Sequence, residues 1–421
     1  MRIYLECTAT HQQDWHTGIQ RVVRNLVNAS RTIGPEVGVS CQPIVYDSRQ
    51  GLVEIEGLPV RSGQSPANTA SPRNTVRRVK TMLKHMRLLR VAQRADLVRR
   101  QTQDWLQTSL RRGSGQCLTV QSGDVILMLD GTWKSPYWSD LETARSQGAK
   151  VGFVIHDVLP LTFPQFYPAH TIDVFRRWWL SACRSADFLL CSTQAVSKDV
   201  LTVLPSGARP QIEYFRLGME LDGAQASSPI RESLQTLFTA ESTTYLAVGT
   251  LSPRKNVSLL LDAFDQLPPH AADTKLVIVG GEGWDAEELV ERIRSHQELG
   301  RRLFWFDDLH DGELDFCYRH ATAMVTASNA EGFNLPIVEA LSRTCPVIAS
   351  DVPVHREVGG EWTCFFPAND SRSLARVLAD RRTVDELRTR LVGYHWPDWQ
   401  ASCREMLQAV RGLENRSAKA A

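Results

Sequence analysis

Charge of one sign is missing from this chain of 421 residues. Its 48 Lys and Arg stand against 47 Asp and Glu, a formal net charge of +1. No global field therefore draws it to nucleic acid. Clustered cysteine is missing as well. The nine Cys are scattered, with no C-x-x-C pair and no ligand-like spacing, which favours reduced thiols in a cytosolic protein over a disulfide frame or a zinc site. No apolar run approaches the ~20 residues that would span a bilayer. The opening Met1–Cys7 carries Glu6 inside its short apolar run and does not read as a signal peptide. There is no G-x-G-x-x-G spacing to indicate dinucleotide binding, no Asp-x-Asp pair to suggest a metal, and no internal repeat of solenoid period. What remains is length, enough for two or three domains with sizeable cores.

The stretch richest in chemistry runs from Ala327 to Leu341, Ala-Ser-Asn-Ala-Glu-Gly-Phe-Asn-Leu-Pro-Ile-Val-Glu-Ala-Leu. Thr322–Thr326 before it reads as a short buried strand. Pro336–Leu341 reads as a helix, with Pro early in the first turn where a missing N–H does no harm. The turn carries Glu331, Gly332 and Asn334. Glycine lets backbone approach a ligand closely. Free N–H groups at a helix start, here those of Phe333, Asn334 and Leu335, form an anion site. Glu339 follows Glu331 by eight residues, about two helical turns. One carboxylate then sits in the loop and the other deeper in the same crevice, an arrangement suited to an anion flanked by hydroxyl-rich groups.

Other segments repeat the pattern of strand, glycine turn and helix. Arg2–Cys7 reads as a strand. Gly18 opens a helix whose Ile19, Val22, Val23, Leu26 and Val27 share a face. Asp124–Asp130 and Lys150–Ile155 read as buried strands, the second ending in His156-Asp157, and α/β sheets place ligands at such carboxyl ends. Asp157 either orients the His or caps the turn. Thr244–Thr250 reads as a strand running into Leu-Ser-Pro-Arg254-Lys255-Asn256, which brings two cations to the mouth of a strand–helix turn, with Asn256 placed to cap the helix. Lys275–Trp284 is a strand entering a Gly-rich turn at Gly281, a tight turn or a ligand contact. Between 61 and 115 the composition shifts. Arg73–Arg112 holds twelve Lys and Arg against Asp96 and Asp104. Apolar residues from Val76 to Leu89 fall at helical spacing there. Such a helix suits an anionic membrane surface, or packs on the core with a solvated basic face.

The Glu-x7-Glu motif of Glu331 and Glu339 in Glu-Gly-Phe-Asn-Leu-Pro, together with Gly249-Thr250-Leu-Ser-Pro-Arg-Lys-Asn256, resembles retaining glycosyltransferases of family 4, close to bacterial mannosyl- and rhamnosyltransferase-like members. The resemblance is strong from about Thr244 onward, looser before, and absent over 61–115. It implies an α/β fold of GT-B type: two Rossmann-like domains across a cleft and a last helix crossing back to the first. The expected division is an acceptor domain at 1–217, a linker at 218–243, a donor-nucleotide domain at 244–394, and the crossover helix and tail at 395–421. It implies that the Gly18 loop, with His16 and Thr17, faces the cleft near the donor phosphate and acceptor. His156 then contacts the donor sugar, Glu331 positions it, Glu339 holds the ribose, and Phe306, Asp308 and Leu309 border the base. Relatives often carry Arg after the glycine of the first donor loop. Thr250 stands there in this chain, so Arg254 and Lys255 must supply the charge.

The expected reaction is retaining, metal-independent transfer of a hexosyl unit, mannose or rhamnose from a GDP-sugar, to a cell-surface polysaccharide or lipid-linked oligosaccharide. No separate cofactor is expected, and the partners are a nucleotide-sugar donor, a glycan acceptor and the inner face of a membrane. A UDP-sugar-dependent transferase, a nucleotide-sugar 2-epimerase and a non-catalytic sugar-nucleotide-binding scaffold are the alternatives.

Overall fold

The computed structural model describes residues 1–12, 18–58, 118–131, 133–219, 229–239 and 243–420. The basic segment expected at 61–115, with its candidate membrane face at 73–112, lies outside the described residues, as do His16 and Thr17.

The described strands form two sheets. The first contains β1 (Arg2–Glu6), β2 (Ser40–Asp47), β3 (Gly51–Glu54), β4 (Val125–Met128), β5 (Lys150–Ile155), β6 (Phe188–Cys191) and β7 (Gln211–Tyr214). Their spatial order is β3-β2-β1-β4-β5-β6-β7. All pairings are parallel except the β2–β3 hairpin. The second contains β8 (Thr244–Val248), β9 (Lys275–Val279), β10 (Leu303–Phe306), β11 (Ala323–Thr326), β12 (Val347–Ser350) and β13 (Thr363–Phe366), in the order β10-β9-β8-β11-β12-β13 and parallel throughout. Helices cover both faces of a parallel sheet, so its strands are apolar on both sides rather than alternating. Every residue of β4, β6, β11 and β12 is buried.

The order reverses once in each sheet, between β1 and β4 in the first and between β8 and β11 in the second. Chain leaving the two sides of such a switch point turns in opposite directions and leaves a crevice at the carboxyl ends of the strands. The two crevices face each other.

The helix Gly18–Glu36 buries Val22, Val23, Leu26, Val27 and Ile33 on one face. The last helix, Trp399–Ala420, returns from the second sheet and packs on the helix Gly18–Glu36 of the first. Cys403, Met406, Leu407, Val410 and Leu413 of that helix are fully buried, each worth about 1.5–3 kcal/mol for a side chain of leucine size. The crossover is fastened by Met219 N–H donating to Pro397 O at 3.1 Å, Trp396 Nε1 to Leu217 O at 2.8 Å and Ser402 Oγ to Arg216 O at 2.7 Å. A side chain at Gly218 would meet Asp398 O at 2.6 Å, so the chain crosses there with no room for a Cβ.

Candidate active site

The loops after β8 and β11 supply the centre of the cleft. After β8, Pro253–Lys255 forms one 3₁₀ turn that presents two cations side by side. Asn256 follows with φ 51° and ψ 40°, a left-handed conformation that asparagine tolerates. Its side chain does not cap the next helix, contrary to the sequence expectation. The left-handed backbone points it sideways, and Nδ2 donates to Asn329 Oδ1 at 3.4 Å and Asn369 Oδ1 at 3.2 Å. The β8 and β11 loops are thereby tied together, and Asn329 N–H donates to Arg254 O at 2.9 Å.

Glu331 lies between the two cations. Arg254 Nη1 pairs with Glu331 Oε2 and donates to Ala330 O at 2.7 Å, while Lys255 Nζ lies 2.5 Å from Glu331 Oε1. The Glu331 side chain is 5% exposed and the cations 15% each. Burial works to raise the Glu331 carboxyl, but Arg254 and Lys255 outweigh it and hold the group far below the usual carboxylate range. Burial lowers the Lys255 ammonium, against the pull of Glu331. Arg254 Nε is buried and has no partner among the described residues.

The helix Leu335–Ser342 starts from Asn334, at φ 73°. Asn334 Nδ2 donates to Thr326 Oγ1 at 3.1 Å and lies 2.9 Å from His355 Nε2. His355 Nδ1 faces Ser350 O at 2.9 Å, which assigns the proton to Nδ1 and leaves Nε2 to accept. Burial lowers this imidazole and keeps it neutral. A buried His thus fixes the residue that opens the helix, and sequence reading had given it no role. Phe333 is buried and meets the Trp396 ring edge-on at 5.9 Å.

Gly332 has first-domain backbone directly against it. A Cβ there would lie 2.2 Å from His156 O and 3.0 Å from Asp157 Cβ. Ser192 Oγ and Thr193 Oγ1 both donate to Gly332 O at 3.3 Å. Nearby, Glu357 accepts from the Gln194 and Ala195 N–H groups at 2.7 and 2.8 Å, a carboxylate of the second sheet's side on the first turn of helix Gln194–Val203. Ser192, Thr193 and Glu357 were not singled out from the sequence.

His156 Nε2 lies 2.8 Å from Leu129 O and must donate to it, leaving Nδ1 as the acceptor. Burial lowers its pKa. Asp157 accepts from Leu159 N–H at 3.1 Å, so of the two expected roles it caps the turn. Burial raises its carboxyl against the pull of Arg254.

Glu339 is engaged twice. Arg21 Nη1 pairs with Oε1, and the Tyr318 hydroxyl donates to Oε2 at 2.9 Å. Arg21 comes from the first turn of the helix that Gly18 opens, and a Cβ on Gly18 would come 3.8 Å from Leu335. The start of the Gly18 helix therefore meets the Glu339 helix. On the other side, Gly249 lies against Lys255, and Gly280 packs on Gly249 O so closely that a Cβ would sit at 2.1 Å. Thr250 is exposed, and Gly281 faces open space while its carbonyl accepts from Leu251 N–H at 2.9 Å.

The base candidates stand apart from this centre, two strands away at the edge strand β10. Arg231 lies over the Phe306 ring at 6.0 Å and pairs with Asp308 at 3.0 Å and with buried Glu313 at 2.6 Å. Leu309 is partly buried beside them. Arg231, absent from the sequence candidates, organises that rim.

Comparison with known proteins agrees with this geometry. Residues 231–394 match the family model described as Glycosyl transferases group 1. The chain is 30% identical over 281 residues to the serotype-specific mannosyltransferase WbdA of Escherichia coli, covering 64% of this chain and 34% of that protein. It is 27% identical over 223 residues to the O-antigen chain mannosyltransferase B of Escherichia coli, covering 51% and 56%. The chain thus spans about a third of the length of the first of these relatives. Sucrose-phosphate synthase from Thermosynechococcus elongatus aligns over 98% of both chains with a TM-score of 0.62 and 19% identity. That likeness is one of fold, the GT-B arrangement of two Rossmann-like sheets across a cleft.

Proposed function

From the match of residues 231–394 to the family model described as Glycosyl transferases group 1, we propose that the chain transfers a hexosyl unit, mannosyl in our reading, from a GDP-sugar to a growing cell-surface or lipid-linked glycan. The donor binds chiefly at the β8 and β11 loops and the acceptor on the first domain. Transfer proceeds with retention and without a metal ion.

The observation that carries this reading is the Arg254–Glu331–Lys255 ion triple at the second switch point. A diphosphate brings more negative charge than one carboxylate and competes for both cations. As it takes them, Glu331 is released to accept hydrogen bonds from the sugar's hydroxyls. The cations then face the leaving diphosphate, whose charge grows in the transition state, and fixed charges in a site sheltered from water act there without reorganising. Released from the cations, Glu331 positions the donor sugar through those hydrogen bonds. Glu339 exchanges Arg21 for the ribose hydroxyls. His156, neutral and anchored through Nε2, offers Nδ1 to the sugar from across the cleft. Contacts across the cleft at Gly332, Glu357 and Trp284 exclude water and limit hydrolysis. The relatives named as mannosyltransferases support the choice of sugar.

Thermal shift against GDP, UDP, ADP and dTDP, with and without EDTA, tests it, since a ligand that binds only the folded state raises stability. A GDP-selective shift unchanged by EDTA is expected, together with GDP release from GDP-mannose in the presence of an oligomannoside. A UDP-selective shift would move the donor to a UDP-sugar. No shift with any nucleotide would overturn the assignment of the ion triple to a nucleoside diphosphate.

A further inference from the structure

Tyr167 reaches the ion triple from the first domain. It follows the 3₁₀ turn Pro164–Phe166, in the chain that leaves β5 through His156 and Asp157. Its ring stacks on Trp284 with centroids 5.4 Å apart and planes at 21°. Trp284 belongs to the donor side, in the turn after β9, and its Nε1 donates to Phe166 O at 2.7 Å. That turn is itself bound to the β8 loop, with Leu251 N–H donating to Gly281 O and Gly283 N–H to Leu251 O, both at 2.9 Å. The ring is therefore fixed from both sides of the cleft. Its hydroxyl lies beside Arg254, in the field of Asp157 and Glu331.

Three polar groups from three loops converge at this point: the Tyr167 hydroxyl, the unpartnered Nε of Arg254 and the carboxylate of Glu331. A sugar hydroxyl donates one hydrogen bond and accepts others. It fits between a carboxylate that accepts and a phenol or guanidinium that donates. Burial keeps the phenol protonated, so it is available as a donor. Resting on the glycosyl-transfer reading of the cleft, we propose that Tyr167 is a specificity residue for the transferred sugar, its hydroxyl hydrogen-bonding one ring hydroxyl of the hexosyl unit while Trp284 holds it in place.

Tyr167→Phe keeps the stacked ring and removes only the hydroxyl. GDP release from GDP-mannose and from its 2-, 3-, 4- and 6-deoxy analogues, with an oligomannoside present, is measured for wild type and variant, alongside GDP affinity by calorimetry. Expected are a fall in kcat/KM for GDP-mannose of roughly tenfold or more, GDP affinity within about twofold of wild type, and one deoxy donor that both proteins use equally. Activity within about twofold of wild type on GDP-mannose would overturn the proposal, and so would an equal loss on all five donors or a parallel loss of GDP affinity, since these mark a ring that only packs. A wild type that turns over none of the donors fails the glycosyl-transfer reading itself, and the proposal with it.

Discussion

The carboxyl ends of β1 and β4 occupy the same place in the first sheet as those of β8 and β11 in the second, yet their acids meet opposite surroundings. Glu6, at the end of β1, is fully buried beside Asp130, just past β4. Both are held by backbone: Thr8 N–H donates to Glu6 at 2.8 Å, and Thr10 and Gly131 N–H to Asp130 at 2.6 and 2.8 Å. Glu6 Oε2 has no partner among the described residues. Burial, then the neighbouring Asp130, pushes Glu6 up to about 7. Glu331 is about as deeply buried, but two cations hold it ionised. The fold supplies a crevice at each switch point, and the loop that follows decides its charge. Arg254-Lys255 after β8 makes one crevice fit for an anion. After β1 and β4 the acids meet backbone N–H groups instead, and among the described residues no cation pairs with Glu6.

The largest break of this contrast comes from removing a cation. Lys255→Ala should lower transfer about 10²–10³-fold, the scale of one lost transition-state donor, while Arg254 stays on Glu331 and the fold persists. Steady-state kinetics beside a melting curve checks this, and near wild-type turnover would end the assignment of the triple to the diphosphate. Gly332→Ala comes next. The added methyl meets the His156 carbonyl, and overpacking of that kind costs about 1–3 kcal/mol, here set against the cross-cleft contact. Both sheets should keep their circular dichroism while small-angle scattering reports a wider cleft and transfer falls.

Glu6→Gln sharpens the other half of the comparison. The folded-state pKa of Glu6 is raised, so its contribution is full below the ordinary 4.5 and is lost as pH rises towards about 7. The wild-type melting temperature should decline across that window, and the Gln variant should show a smaller decline. Matching pH profiles would remove Glu6 as the titrating group. The smallest effect is expected at Glu357→Gln, which keeps one of the two hydrogen bonds on the helix Gln194–Val203 and removes the charge and the second acceptor oxygen. A carboxylate at an exposed helix start is worth about 0.3–1 kcal/mol, so the donor KM should move no more than about fivefold, and less at high salt.

Much of the donor half was legible in sequence because its chemistry is local. Arg254 and Lys255 are neighbours, and Glu331 and Glu339 share a loop and the helix it starts, so spacing alone places each pair. The strands were legible because parallel pairing demands long apolar runs. Asn256 shows the limit. Its residue type suits a cap, but the cap requires an extended backbone, and the 3₁₀ turn before it imposes a left-handed one. Arg21, Tyr167, Trp284 and Glu357 were not legible as site residues. Each acts on a partner more than a hundred residues away, and no local spacing encodes such a meeting.

Sequence by itself determined the two strand–turn–helix series, the paired cations, the two glutamates and the absence of a charged or cysteine-rich design. Those follow from periodicity, from turn chemistry and from residues a few positions apart. The tertiary structure alone decided that Gly332 must be glycine because the His156 carbonyl lies against it. It also decided that Glu331 is clamped between cations while Glu6 meets none among the described residues, and that a tyrosine from the chain after β5 joins the polar cluster around Arg254. The reason is physical: burial, partner and field are properties of neighbours in space, and the switch points bring together loops that the chain itself keeps far apart.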